Sequence, residues 1–271
     1  NLTPLRSPPG RTVVTPTSPR LLAFAAAAAV AALTVPSGTA LASSSPGKGA
    51  TSFPQTTGSH PRTEIMWSNV VPLKNKSQIV VDEWGYRYMS GQQNSHLTIT
   101  YTDNGELLYT DTGTERWRKL PPTCTKQKVP QGISALCTIP APSADADTMF
   151  LEVWPRLGND WVDGSTLPAK FRLWALVDKG RDTVFGGAGD DFANGYKGVD
   201  KFYGGPGDDW FRGGLGEDVL VGDAGNDYLV ATDQDDVLDG GPGADGLYCG
   251  NGRDTATTDS SDIVRFCEVL R

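Results

Sequence analysis

The sequence predicts an all-β chain in two parts: an N-terminal antiparallel β domain over residues 63–176, then a C-terminal parallel β-roll of nine repeats over 177–257. Three observations carry this reading. A nine-residue period runs without a break from Val177. Before it, short runs alternate apolar and polar residues between turn clusters. No stretch shows a convincing helical period. Composition divides the chain at the same place. Of 32 glycines, 20 lie in residues 177–257, which also hold 17 Asp and Glu against 6 Lys and Arg. Residues 1–176 carry more bases than acids, so the net charge of −8 originates in the repeat. Phosphate binding needs clustered Lys and Arg, which excludes nucleic acid as a partner and favours a cation. With only His60 and His96, most His-based catalysis and His-ligated metal sites are out of reach.

In chain order, residues 1–42 read as a secretory signal peptide. Arg6, Arg11 and Arg20 stand without an acid before the apolar run Leu21–Val35, and Ala40-Leu41-Ala42 supplies a cleavage site. The alternative is an uncleaved membrane anchor, for which this Ala-rich run is short of the ~20 residues a span requires. No other stretch is long and apolar enough to cross a bilayer, so no stable membrane span is expected after cleavage. Residues 43–62, rich in Ser, Gly, Pro and Thr, read as a flexible linker. The β domain holds six of the seven tryptophans: Trp67, Trp84, Trp117, Trp154, Trp161 and Trp174. Its alternating runs include His96–Tyr101, Met149–Trp154 and Lys170–Trp174. Turn signals at Asp103-Asn-Gly105, Asp111-Thr-Gly113, Gly158-Asn-Asp160 and Asp163-Gly164 separate them.

Cys124, Cys137, Cys249 and Cys267 make an even count, which outside the cytoplasm favours disulfides. Of the three pairings, the local one is favoured, Cys124–Cys137 and Cys249–Cys267, because each pair lies within one segment. Zinc is disfavoured by the lack of a C-x-x-C and of a nearby histidine.

The repeat units begin at Val177, Gly186, Gly195, Gly204, Gly213, Gly222, Ala231, Gly240 and Cys249. Position six is Asp in all nine: Asp182, Asp191, Asp200, Asp209, Asp218, Asp227, Asp236, Asp245 and Asp254. Position four is Gly in eight, with Gln234 the exception, and position eight is always apolar. This pattern resembles the hemolysin-type calcium-binding repeat, GGxGxDxUx, of the RTX family. The resemblance covers less than a third of the chain. The flanks resemble secreted actinobacterial calcium-binding proteins, in which a β domain with a cysteine pair leads into the repeats. A tail like Asp262-Ile-Val-Arg-Phe-Cys267-Glu, residues 258–271 here, closes them as a cap. The resemblance implies Ca2+ as the bound ion and an extracellular location.

The unit has a physical reading of its own. Glycines at positions one, two and four let the backbone turn tightly through positive φ. The turn directs carbonyls and one carboxylate at a common centre, and hard oxygen ligands select Ca2+. The last three residues extend as a strand with position eight inward. Two units complete one coil, so stacked neighbours lie 18 residues apart. Strands about 4.8 Å apart place the Asp carboxylates at roughly that spacing. Each like-charge neighbour then costs on the order of 3 kcal/mol at an effective dielectric of 20, before salt screening. One small apolar side chain per unit offsets only ~1.5–3 kcal/mol. The roll is therefore expected to be marginal or unfolded without metal. The alternative, a Gly-Asp linker disordered whatever the metal, gives position eight no reason to stay apolar.

The 18-residue spacing sorts the candidate ligands onto two edges. Units 186, 204, 222 and 240 form the glycine-rich edge, with Gly186, Gly187, Gly189 and Asp191; Gly204, Gly205, Gly207 and Asp209; Gly222, Gly225 and Asp227; and Gly240, Gly241, Gly243 and Asp245. They offer sites between Asp191 and Asp209, Asp209 and Asp227, and Asp227 and Asp245. The other edge has its glycine pattern broken at Val177-Asp178, Gly195-Tyr-Lys197 and Ala231-Thr-Asp-Gln234. Its best pair is Asp200 and Asp218. Outward position seven brings Phe192, Trp210 and Tyr228 into one stack, either covered by the preceding domain or tail or serving as a binding platform.

No H-E-x-x-H or G-x-S-x-G is present. Ser165 lacks the elbow spacing, and His96 sits within a strand pattern. Asp82-Glu83, as adjacent strand residues, point to opposite faces, and Asp145 and Asp147 read as loop residues. The expectation is a secreted, non-enzymatic calcium-binding protein. The alternative is a carbohydrate- or cell-surface-binding module with structural calcium, whose partner would be a cell-surface glycan or protein. A third possibility is an enzyme with an unfamiliar site in residues 63–176.

Overall fold

A computed structural model describes residues 73–82, 84–91, 93–139 and 148–271. The expected signal peptide 1–42 and linker 43–62 lie outside them. The described residues form β-strands and no helix. The first strands, β1 (Lys76–Asp82) and β2 (Gly85–Met89), make an antiparallel hairpin closed at Asp82 and Gly85. Gly85 takes φ +144°, and a Cβ there would overlap the Phe150 carbonyl oxygen. A second hairpin joins β3 (His96–Tyr101) to β4 (Glu106–Asp111) around Gly105. Strand β5 (Arg116–Lys119) returns to lie parallel to β1. The antiparallel pair β6 (Cys124–Gln127) and β7 (Ile133–Thr138) extends the sheet beyond β4. Cys124 stands directly opposite Cys137 in that pair, and the two are disulfide-bonded.

From here the chain winds. The next coils comprise β8 (Met149–Leu157) with β9 (Trp161–Asp163), and β10 (Phe171–Gly180) with β11 (Thr183–Phe185). The two that follow pair β12 (Phe192–Asn194) with β14 (Lys201–Pro206), linked through the short β13 (Lys197–Gly198), and β15 (Trp210–Arg212) with β16 (Val219–Ala224). Then come β17 (Tyr228–Val230) with β18 (Val237–Asp239), and β19 (Gly246–Tyr248) with β20 (Thr255–Thr257). The tail adds β21 (Ile263–Arg265) and β22 (Val269–Leu270). Together these make a parallel solenoid of about seven turns. Its two sheets run β5-β1-β2-β8-β10-β12-β15-β17-β19-β21 and β6-β7-β4-β3-β9-β11-β14-β16-β18-β20-β22.

The repeat strands pair at a spacing of 18, with Phe192 beside Trp210, Tyr228 and Gly246, and Lys201 beside Val219, Val237 and Thr255. All nine position-eight side chains are at most 2% exposed and meet in one core with Leu97, Leu151, Val153, Val162 and Ala175. Upstream of the repeat the expected antiparallel strands are present, and the parallel coils begin before Val177. Antiparallel pairing is confined to β1–β2, β3–β4, β4–β7 and β6–β7, while β2, β8 and β10 are mutually parallel, as are β3, β9 and β11. Both sheets run on through Leu176 and Val177 within β10. Alternation reports only that one strand face is buried. A solenoid strand has one buried face too, so the pattern does not distinguish the two pairings.

The tail is held by the disulfide Cys249–Cys267 and continues both sheets by one strand each. Val264 packs against the core, whereas Ile263 and Phe266 are exposed, Phe266 at 72%. Strand β21 turns Val264 to the core and leaves its alternate residues Ile263 and Arg265 in solvent, and Leu270 of β22 is exposed.

Candidate metal centre

The position-six aspartates form two hydrogen-bonded ladders inside the turns. On the glycine-rich edge, the Leu173 N–H donates to Asp191 Oδ1 at 2.6 Å, Asp191 to Asp209 at 2.7 Å, and Asp209 to Asp227 at 2.8 Å. Asp227 donates to Asp245 at 2.8 Å and Asp245 to Asp262 at 3.0 Å. On the other edge the Asp182 N–H donates to Asp200 at 2.9 Å, Asp200 to Asp218, Asp218 to Asp236 and Asp236 to Asp254 each at 2.8 Å, and Asp254 to Glu268 Oε2 at 2.8 Å. Each amide reaches one coil downstream.

This uses one oxygen of each carboxylate. The other, Oδ2, is buried without a hydrogen-bond partner in Asp182, Asp200, Asp209, Asp218, Asp227, Asp236, Asp245 and Asp254. Asp191 Oδ2 accepts the Gly187 N–H at 2.5 Å. All nine residues are at most 2% exposed. A buried anionic oxygen without a donor is costly, and the proton equilibrium reflects it. Burial pushes Asp182, Asp191, Asp227 and Asp236 up to about 7, Asp200 to about 8 and Asp245 to about 6. It also raises Asp218 and Asp254. Asp209 rises well above the usual carboxylate range, through burial and then through Asp191 and Asp227 on either side.

The glycines make room for this arrangement in different ways. At position one, a Cβ on Gly186, Gly204, Gly222 or Gly240 would overlap or crowd the Oδ2 of the unit's own aspartate. None of these four has positive φ, so the expected torsional reason does not apply there; the carboxylate needs the space. Position two takes the left-handed region in most units, though not at Gly187 or Thr232. Gly205 and Gly241 take φ +95° and +87°, while Tyr196 and Asp223 occupy the same place at +62° and +69°. At position four, a Cβ on Gly207, Gly225 or Gly243 would overlap the carbonyl oxygen of Gly189, Gly207 or Gly225 in the preceding coil. Gly187 and Gly189 lie in the first such coil, against Leu167 and the Phe171 carbonyl.

A cation fits this chemistry. Among the described residues, no group of three or more His, Cys, Asp or Glu side chains could hold a metal. A ligand shell built here therefore draws on the orphaned Oδ2 atoms and main-chain carbonyls. All are hard oxygens of the kind Ca2+ accepts in sets of six to eight. The family model of the RTX calcium-binding nonapeptide repeat matches residues 177–211, 195–229 and 221–256. Residues 177–256 are RTX calcium-binding nonapeptide repeats. No curated protein and no solved structure is significantly similar to the chain.

Both edges of the RTX repeats carry the same ladder, Asp200 and Asp218 included. They differ in their turns. On the second edge Gln234 takes φ +84° at position four, where glycine would be unstrained, while at position two each edge has one non-glycine in the left-handed region, Tyr196 at +62° and Asp223 at +69°. The repeat pattern did not reveal Asp160, Asp262 and Glu268, which continue the ladders beyond the repeats. Asp160 has a sequence signal in Gly158-Asn-Asp-Trp-Val-Asp163, the last six positions of a unit, hidden because the next aspartate follows after 22 residues. Asp262 and Glu268 lie 17 and 14 residues beyond their partners, off the period.

The other candidates sit in structural contacts. His96 is exposed and stacks on Trp161 at 5.4 Å, and Ser165 Oγ donates to Asp163. Asp82 accepts the Trp84 N–H and faces Arg87, which also donates to Glu152. Glu83, Asp145 and Asp147 lie outside the described residues. The expected aromatic stack is present and longer: Phe150, Trp174, Phe192, Trp210, Tyr228 and Tyr248 follow one another with ring centroids 4.9–6.2 Å apart. The opposite sheet bears a second, His96–Trp161–Phe185–Tyr203.

Proposed function

We propose that the protein is a secreted, non-enzymatic calcium-binding protein whose roll folds around Ca2+ held between stacked repeat turns. The observation that carries this reading is the row of buried Oδ2 atoms without a donor, in eight of the nine position-six aspartates, in residues that match the RTX repeat. A bound divalent ion supplies positive charge to carboxylates that otherwise keep their protons or repel one another. Asp191 and Asp209, Asp209 and Asp227, Asp227 and Asp245, and Asp200 and Asp218 are the pairs that would hold it, with glycine carbonyls nearby. The amide ladder fixes each carboxylate through Oδ1 and leaves Oδ2 for the ion. Two disulfides fit an oxidising, extracellular compartment.

The alternative, a carbohydrate- or cell-surface-binding module, would use the ring faces of the aromatic stacks. Those rings pack on one another: Phe185 and Tyr203 lie 4.9 Å apart at an interplanar angle of 8°, and Trp210 meets Phe192 and Tyr228 edge to face. This favours a role for the stacks in holding coils together. A calcium titration of the mature protein by circular dichroism and calorimetry tests the proposal. β signal and bound metal should rise together; β signal that is independent of calcium would refute it.

A further inference from the structure

The family match begins at Val177, but the carboxylate ladder begins earlier. Residues Pro155–Asp163 fill the places of a repeat unit. Leu157 pairs with Lys179, Trp161 with Thr183, Val162 with Val184 and Asp163 with Phe185, which aligns positions three, seven, eight and nine. Arg156 takes φ +77° at position two, as Tyr196 and Asp223 do, and Gly158 takes φ +141° at position four. Val162 points into the core. Asn159 Oδ1 accepts the Arg181 N–H at 2.9 Å, as Asp208 Oδ1 accepts the Asn226 N–H at 2.7 Å at the same position five. The unit escapes the nine-residue period because the turn that follows it is four residues longer than in the repeats.

Asp160 stands at position six of this unit. It is 2% exposed; its Oδ1 accepts the Ser95 N–H at 2.6 Å, and its own N–H donates to Asp182 Oδ1 at 2.7 Å. Its Oδ2 is buried without a partner, as is that of Asp182. The carbonyl of Gly158 lies where a Cβ on Gly180 would be, as the Gly180 carbonyl does for Gly198. One coil further up, position six is Ser95, whose hydroxyl donates to Ser90 Oγ at 2.7 Å. On the opposite edge the corresponding place before Asp191 is Leu173. Upstream of the repeats the acidic ladder therefore continues on one edge only, and it stops at Asp160.

We propose that Asp160 and Asp182 hold a further Ca2+ ion, upstream of the matched repeats, which ties the β8–β9 coil to the first repeat coil. The inference rests on the calcium reading of the roll, and the two can fail separately. The experiment counts Ca2+ ions bound to the full chain by calorimetry, for wild type and Asp160→Asn. Asp160→Asn should bind one ion fewer, with the other ions retained. Equal numbers in the two proteins would overturn this site while leaving the repeat sites standing; no binding by wild type would overturn both readings. Trp161→Phe leaves both carboxylates in place and serves if Asp160→Asn does not fold. Terbium in place of calcium, excited through tryptophan, should lose luminescence in Trp161→Phe because Trp161 adjoins Asp160. Undiminished luminescence would overturn the site.

Discussion

A methyl group added at Gly204 would overlap Asp209 Oδ2, whereas one added at Gly246 would stand 2.9 Å from the edge of the half-buried Tyr228 ring, a side chain and not a buried carboxylate. Gly204→Ala should therefore destabilise the calcium-loaded roll by about 1–3 kcal/mol, as overpacking of a close contact does. Gly246→Ala should cost clearly less, and urea unfolding in excess calcium measures both. A second pair of substitutions separates the two edges. Asp209 has a carboxylate on either side along its ladder, and its turn is built from Gly204, Gly205 and Gly207. Asp236 accepts the equivalent ladder hydrogen bond at 2.8 Å, but its turn contains Gln234, a non-glycine at φ +84°. Asp209→Asn keeps the shape and removes the charge, so it should shift the calcium midpoint of folding clearly upward. Asp236→Asn should move it little. Equal shifts by circular dichroism would show that turn composition does not grade the sites. The position-six aspartates were legible in the sequence because their period is strict. The reason for glycine at position one was not, because the approach of a carboxylate to a backbone carbon appears only once the turn is folded.

Along the ladders, buried carboxyls couple folding to protons. With their values raised to about 6–8, the folded roll keeps protons on Asp200, Asp227, Asp236 and Asp245 where an unfolded chain, near 3.8, has lost them. This contribution to metal-free stability is fully present below about pH 4 and is lost as the pH rises through 6 to 8. In a chelator, the urea midpoint of the roll should be higher at pH 5 than at pH 8. Saturating calcium should reverse that order, since protons and Ca2+ compete for the same oxygens. The strands of the tail depend on a covalent tie. Cys249–Cys267 closes an 18-residue separation, a loop worth about 3 kcal/mol in the chain-entropy model. Replacing both cysteines by Ser should lower the thermal midpoint of the calcium-loaded protein and loosen the rungs made by Asp262 and Glu268. Scanning calorimetry would expose an error as an unchanged midpoint. The repeat strands and their 18-residue pairing could be read from the period. The direction of β2, β8 and β10 could not, since alternation is the same for parallel and antiparallel strands with one buried face.

At the scale of the molecule, two stabilising regimes share one core. Residues of β3, β4 and β7 are tied by antiparallel pairing, by Cys124–Cys137 and by buried Leu97, Ile99, Leu107 and Tyr109, with no carboxylate ladder among them. From Asp160 onward the interior of the turns is acidic. Removing calcium should therefore leave amides such as those of Leu107, Tyr109 and Leu136 protected from hydrogen exchange while those of residues 192–257 exchange freely. Uniform loss of protection would show that the sheets respond to calcium as one unit. Composition changes at Val177, yet the sheets continue through it, because a coil needs only an inward apolar residue and a turn, and residues 149–176 supply both without the repeat's spelling.

The pairing interval of 18 also sets the grain at which this chain tolerates insertion and loss. Excising Gly204–Val221, one whole coil, would bring Tyr203 to Gly222 and leave every strand facing the sheet it faced before. Excising nine residues would send each later strand to the opposite sheet. Position eight would still point inward, but the two outer aromatic rows would be cut and Asp262 and Glu268 would trade edges. Length variants of such a chain are thus expected in multiples of 18. The long turn between Asp163 and Phe171 shows the other tolerated change, extra residues where no rung is interrupted. A peptide grafted beside Ser165 should be carried on the surface without disturbing the register of the coils behind it.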